Sequence, residues 1–252
     1  MTEEILAKVR KILALAEDPA ATPAEAETYT AKAAALVAEY GIDRALLAQA
    51  DPDSDIVGDR VVVLDPPYAL DKSSLLSTVA IRLRCRCVQR RRYVDGAKQL
   101  SLHLFGYESD LLRSELLYTS LLLQATSTLA RTPVPRGEGA AAFRRSWLAG
   151  FTTAIGRRLI DAEQRAEREA ERQARGRSER GAGPTGPSLA LVLADRTVDV
   201  ERAVEREYPR LGRAQDRRLS GSGGMAGWQA GQRADLGGGS GLAGRPRGQI
   251  AG

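Results

Sequence analysis

Apolar positions recur along this chain with two different periods. From residue 3 to 17, Ile5, Leu6, Val9, Ile12, Leu13 and Ala16 repeat at three and four residues, with Lys8, Arg10 and Lys11 between them. That spacing predicts an amphipathic helix, ended by Pro19. A second helix is punctuated by Thr22 as its N-cap, Pro23 at its first position and Glu25 three residues after the cap. Its buried stripe is Ala26, Tyr29, Ala33, Leu36, Val37 and Tyr40. Gly41 is predicted to stop it in the left-handed conformation, with Ile42 closing the contact and Asp43 capping a short third helix through Ala48. Residues 1–50 thus read as a helical hairpin domain, too small for a stable core by itself.

The period changes to two in the middle of the chain. Asp95-Gly96 separates Cys85–Val94 from Ala97–Phe105, and that pair favours a two-residue hairpin turn. Leu100, Leu102 and Leu104 point to one face; Gln99, Ser101, His103 and Phe105 point to the other. A two-residue turn sets Arg92 opposite Gln99, Arg90 opposite Ser101 and Val88 opposite His103, with Arg86, Arg90 and Arg92 on the histidine face. Arg91 falls on the leucine face, and a longer loop reverses both assignments. A helix capped by Asp71 or Ser73 precedes the hairpin, with Leu75, Leu76, Val79 and Leu83 as its stripe. A leucine-rich helix over about 109–129 follows it. Arg60–Leu64 reads as a short strand stopped by Pro66-Pro67. The predicted class is α+β: the N-terminal helical hairpin, a β-α-β-β-α unit with a small antiparallel sheet, a long C-terminal helix and a flexible glycine-rich tail.

The boundaries follow from composition. Residues 49–59 form an acidic loop, and Arg131–Gly139 a proline- and glycine-bearing linker. A long helix starts near Ala140; its apolar face (Phe143, Trp147, Phe151, Ala154, Ile155, Leu159) is expected to dock on the central unit and closes a domain at 58–160. Residues 161–187 are a charged extension and linker, with six acidic and six arginine side chains over 161–180. Within 188–213, Ser188–Ala194 reads as a strand and Val198–Leu211 as a short charged helix. Residues 214–252 form the tail; 12 of the last 34 residues are glycine, which leaves little to pack. Within it, Met225–Leu236 is the one stretch able to dock as a short glycine-rich helix, through Gly227, Trp228 and Gly231.

No run of about 20 apolar residues exists, which argues against a membrane span. The charged start of the chain is unlike a signal peptide. Cys85 and Cys87 lie two apart in a strand and cannot bridge each other there, and free thiols point to the cytoplasm. Net charge is +5 but uneven: residues 1–70 carry 6 basic and 13 acidic side chains, residues 71–131 carry 10 and 5. An acidic front and a basic middle accompany polyanion binding or self-association, and equally a solvated arginine-rich surface.

The string Leu13-Ala14, Thr22-Pro23-Ala24-Glu25-Ala26, Lys32-Ala33 and Tyr40-Gly41-Ile42 resembles the N-terminal signature of a bacterial and bacteriophage family known as domain of unknown function 2786. Phe105-Gly106-Tyr107-Glu108-Ser109-Asp110 and Trp147-Leu148-Ala149-Gly150-Phe151 resemble the companion domain that usually follows it. The resemblance implies an architecture and carries no activity with it.

Candidate chemistry is sparse. His103 is the only histidine, with no nucleophile fixed near it, and Cys85-x-Cys87 lacks the paired cluster that structural zinc needs. No catalytic residue, metal or cofactor is expected, and an enzyme is disfavoured. Six arginines fall between Arg82 and Arg92. Arg84, Arg86, Arg90, Arg92 and Lys98 are therefore the predicted nucleic-acid contacts of a non-enzymatic protein, with Tyr93 and Phe105 available for stacking. Two alternatives stand beside this. The arginines pair with Asp95, Glu108 or the acidic loop; or the helix from Phe143 holds a protein partner or a second copy through Phe143, Trp147 and Phe151.

Overall fold

The computed structural model describes residues 7–9, 11–12, 23–94, 96–178, 187–212 and 217–234. At its centre Val94 pairs with Ala97, so two residues close the hairpin, and Gly96 takes φ 76°, a value glycine reaches without a Cβ clash. Strand β2 (Arg86–Val94) thereby meets β3 (Ala97–Tyr107) in the expected register, Arg90 opposite Ser101 and Val88 opposite His103. Strand β1 (Val57–Val63) adds antiparallel to the other side of β3, giving the order β1-β3-β2.

Both faces of this sheet are covered. The leucine face (Leu100, Leu102, Leu104) packs on α2 (Ala69–Arg82) and α3 (Glu108–Arg131) through Leu75, Leu76, Val79, Leu111, Leu117 and Leu121. Fully burying such a side chain contributes about 1.5–3 kcal/mol relative to leaving it exposed. Behind them runs α4 (Ala140–Ser178), whose Phe143, Trp147, Phe151, Ile155 and Leu159 are buried in the same core. Helix α1 (Pro23–Ala50) and α2 both lie along α4. Beyond Glu163 that helix runs out into solvent, carrying short-range pairs such as Arg175 with Glu171 at 3.8 Å. The second sheet face is covered by α5 (Leu189–Glu207), where Val200 and Val204 bury Val88 and Phe105.

The structure corrects several expectations. Pro23–Ala50 is one continuous helix: Gly41 does not take a positive φ and does not end it. Helix α2 begins after Tyr68, at φ 64°, and not at Asp71 or Ser73; both are buried inside it, with Asp71 paired to Arg217 at 2.9 Å. Ser188–Ala194 is not a strand. Ser188 accepts a hydrogen bond from the Leu191 N–H at 3.4 Å and starts α5. Val192, Arg196, Val200 and Val204, every fourth residue, form its buried side. Short apolar runs do not separate strand from helix, and here an uncovered sheet face decides between them. Within the predicted tail, α6 (Gly224–Arg233) is folded onto α4. A Cβ on Gly227 would run into the Trp147 carbonyl and one on Gly150 into that of Gly224, so glycine on both helices permits the approach. Thr22, Asp95, the 179–186 linker and residues 235–252 lie outside the described residues.

Candidate nucleic-acid interface

The hairpin is longer than the sheet that supports it. Strand β1 ends opposite Ser101, with one further bond from Leu64 N–H to the Leu100 carbonyl at 2.9 Å. Residues 91–94 and 96–99 are therefore a two-stranded ribbon, exposed throughout. Cross-strand partners share a face, so Arg91, Tyr93 and Lys98 lie on the leucine side of the ribbon and Arg90, Arg92 and Gln99 on the histidine side. Tyr93 is 77% exposed. Arg91, Arg92 and Lys98 are exposed, and Arg90 is half-buried beside Tyr208. None of these four cations makes an ion pair among the described residues.

The other predicted contacts are placed differently. Arg86 is exposed and faces Glu201 of α5 at 3.6 Å. Arg84 is not on the ribbon. It follows the end of α2 at φ 67°, where the Cys85 N–H closes on the Ala80 carbonyl at 2.9 Å and the Arg84 N–H on that of Ile81 at 3.3 Å. This is the helix-ending position that glycine usually fills. Its guanidinium, 14% exposed, meets Glu163 at 2.7 Å and Glu167 at 2.8 Å on α4. Arg84 thus binds two parts of the chain together and offers little to a ligand.

Behind the sheet lies a set of buried ions that sequence reasoning missed. Arg113 of α3 is fully buried and contacts Asp110 at 2.6 Å and Glu163 at 3.0 Å. It also donates to the Val37 carbonyl of α1 at 3.0 Å. Gly41 makes room for it, since a Cβ there would run into the guanidinium. Arg196 of α5 reaches Asp55 at 2.8 Å and Asp110 at 3.3 Å, and stacks over the Tyr107 ring at 3.5 Å. Asp55 accepts from the Ser109 N–H at 3.1 Å and the Ser109 hydroxyl at 2.6 Å, which caps α3 from a distant part of the chain. The acidic 49–59 loop therefore does supply an arginine partner, but for Arg196 and not for the ribbon.

Residues 4–44 match the family described as "Protein of unknown function (DUF2786)". That segment is similar to the DUF2786 family, and the match covers no more of the chain. Neither a curated protein nor a solved structure matches it. The DUF2786 match ends just beyond Gly41 and does not extend to the 105–151 elements. Val37 and Gly41, which receive Arg113, are both inside the DUF2786 segment, so that segment is anchored to the central unit by a buried guanidinium.

Two further groups complete the picture. His103 is buried between strands and α5, with Nε2 2.8 Å from Asp59 and Nδ1 2.7 Å from the Tyr208 hydroxyl. A carboxylate cannot donate, so Nε2–H donates to Asp59, while Nδ1 pairs with the Tyr208 hydroxyl. Its ring also lies 4.2 Å from that of Phe105, a position that ties α5 to the sheet. Burial pushes the Cys87 thiol up to about 12 and raises Cys85 further. Both are protonated at neutral pH, despite Arg84 and Arg86 beside them. Among the described residues no group of His, Cys, Asp and Glu is arranged to hold a metal ion, and no helix is long and apolar enough to cross a membrane.

Proposed function

We propose that this protein binds nucleic acid, weakly and without sequence preference, through the exposed end of the β2–β3 hairpin. The observation that carries the reading is the projecting ribbon itself. Arg91, Arg92 and Lys98 are exposed and free of ion pairs among the described residues, with Tyr93 exposed beside them. Cations held out from the body and unpaired by carboxylates are what a phosphate backbone requires. Arg84 is left out of the interface because Glu163 and Glu167 hold it, and Arg86 stands at its edge opposite Glu201. A cytoplasmic setting goes with this reading, since Cys85 and Cys87 are free thiols.

The alternative through Phe143, Trp147 and Phe151 is less favoured by their burial. These side chains are buried within the chain, and α6 covers that part of α4.

Fluorescence anisotropy with labelled DNA and RNA at two salt concentrations tests the reading. Changing Arg91, Arg92 and Lys98 together to Gln is expected to weaken binding and to lower the log–log salt slope by about 2–3, near 0.7–0.9 for each phosphate no longer neutralised. The same change should leave folding stability within about 0.5 kcal/mol, as for exposed positions that make no ion pair. An unchanged binding curve would sink the proposal.

A further inference from the structure

The ribbon carries its cations on both faces, and this narrows the ligand. A strip of sheet lying on a single strand uses one face, with aromatics stacked on successive bases. Here Arg91 and Lys98 leave one face of the ribbon, and Arg90 and Arg92 leave the other. The free part spans four residues in each strand, about 14 Å at the usual rise, and two strands are about 4.8 Å apart. A ribbon of that section fits a B-form major groove, roughly 12 Å wide and 8.5 Å deep, where phosphates line both sides.

Resting on the nucleic-acid reading above, we infer that the ligand is double-stranded DNA, with the hairpin end inserted in the major groove. Arg91 and Lys98 meet the phosphates of one strand; Arg92, with the half-buried Arg90 behind it at the foot of the ribbon, meets those of the other. The sequence from Arg90 to Gln99 holds four cations and a single carboxylate, Asp95, so the inserted end is net basic. Among the described residues, acidic side chains of α5 stand at the base: Glu201 faces Arg86, and Glu207 acts on Tyr208. They set the depth at which the groove walls meet repulsion. Tyr93, exposed on the Lys98 face, is placed against a groove wall and not in a stack of unpaired bases.

The test uses the full chain and three labelled probes of one sequence about two helical turns long. These are the DNA duplex, its single strand, and the corresponding RNA duplex, whose deep, narrow major groove side chains cannot enter. Two variants each strip one face: Arg91→Gln with Lys98→Gln, and Arg90→Gln with Arg92→Gln. The expected result is a DNA duplex bound about tenfold or more tighter than either other probe, with both variants reducing duplex affinity and its salt slope. Circular dichroism melts of both variants check that they remain folded. Equal affinity for the single strand or the RNA duplex overturns the groove assignment, as does a variant of one face that is silent. In each of those cases nucleic-acid binding itself survives. Absence of binding to all three probes removes both readings together.

Discussion

Arginine occupies two contrasting places in this molecule. In the interior, Arg113 and Arg196 each contact two carboxylates, and every one of those carboxylates is itself buried. At the hairpin end, Arg91 and Arg92 are exposed and contact none among the described residues. The same side chain serves opposite ends. Removed from water, a guanidinium persists only where acids and carbonyls meet its donors, and there it joins α1, α3, α4 and α5. Left in water without an acid, it adds almost nothing to the fold and stays available for an anion. Arg84 lies between these cases, partly exposed and doubly paired. A count of arginines therefore says less about binding than the placement of the acids around them.

Breaking the interior set tests the contrast most severely. Arg113→Ala leaves Glu163 and Asp110 short of a buried counter-charge and is expected to cost about 3–5 kcal/mol. Urea unfolding followed by circular dichroism reads this directly, and a loss below about 1 kcal/mol would place Arg113 with the surface arginines. Next comes Gly41→Ala. In an isolated helix the change is favourable by about 1 kcal/mol. Here the new methyl meets a guanidinium that Asp110, Glu163 and the Val37 carbonyl all hold. A net loss of about 1–3 kcal/mol is expected, as for overpacked cores. The loss should shrink or reverse in an Arg113→Ala background, which a double-mutant cycle measures. The smallest effect is a difference between two variants at Arg84. Arg84→Ala should cost about 1.5–3 kcal/mol through its charged hydrogen bonds. Arg84→Gly should cost about 1 kcal/mol less, because glycine relieves the left-handed backbone at φ 67°. Equal melting temperatures for the two variants would show that the backbone there carries no strain.

The elements that were legible in the sequence are those with local signals. The Asp95-Gly96 pair and the alternation of Leu100, Leu102 and Leu104 specified the hairpin, and the structure chose the register of a two-residue turn over that of a longer loop. The 3-4 stripe from Phe143 specified α4, and Gly227 with Gly231 indicated that a short helix could dock. Other positions carried a sound local signal that tertiary contacts overrode. Gly41 followed by Ile42 resembles a helix stop, yet the residue is glycine because Arg113, far along the chain, needs its space. Arg84 resembles one more member of a basic run, yet it ends a helix against Glu163 and Glu167. Arg91 seemed misplaced on the leucine face, but the ribbon outruns the core there and the misplacement disappears.

The candidate interface was half visible. The sequence placed the cations on a hairpin, with Arg86, Arg90 and Arg92 on its histidine face. In the structure α5 closes it: Ser101, His103 and Phe105 are buried, and Tyr208 reaches His103. One signal existed for this, the every-fourth-residue repeat of Val192, Val200 and Val204 on either side of Arg196. It was obscured by the strand-like run at Ser188–Ala194.

By itself the sequence determined the α+β class, the hairpin, the long helix, and the N-terminal segment that matches the DUF2786 family. All of these rest on periodicity, turn chemistry or a contiguous signature, which involve neighbours in the chain. Only the tertiary structure decided which arginines are internal counter-ions and which stay exposed. That division depends on where Asp55, Asp110, Glu163 and Glu167 come to lie, and they are brought to their partners by packing across four helices and the 51–56 connection. A charge has no period along the chain; its partner is set by distance in space and by the loss of water around both.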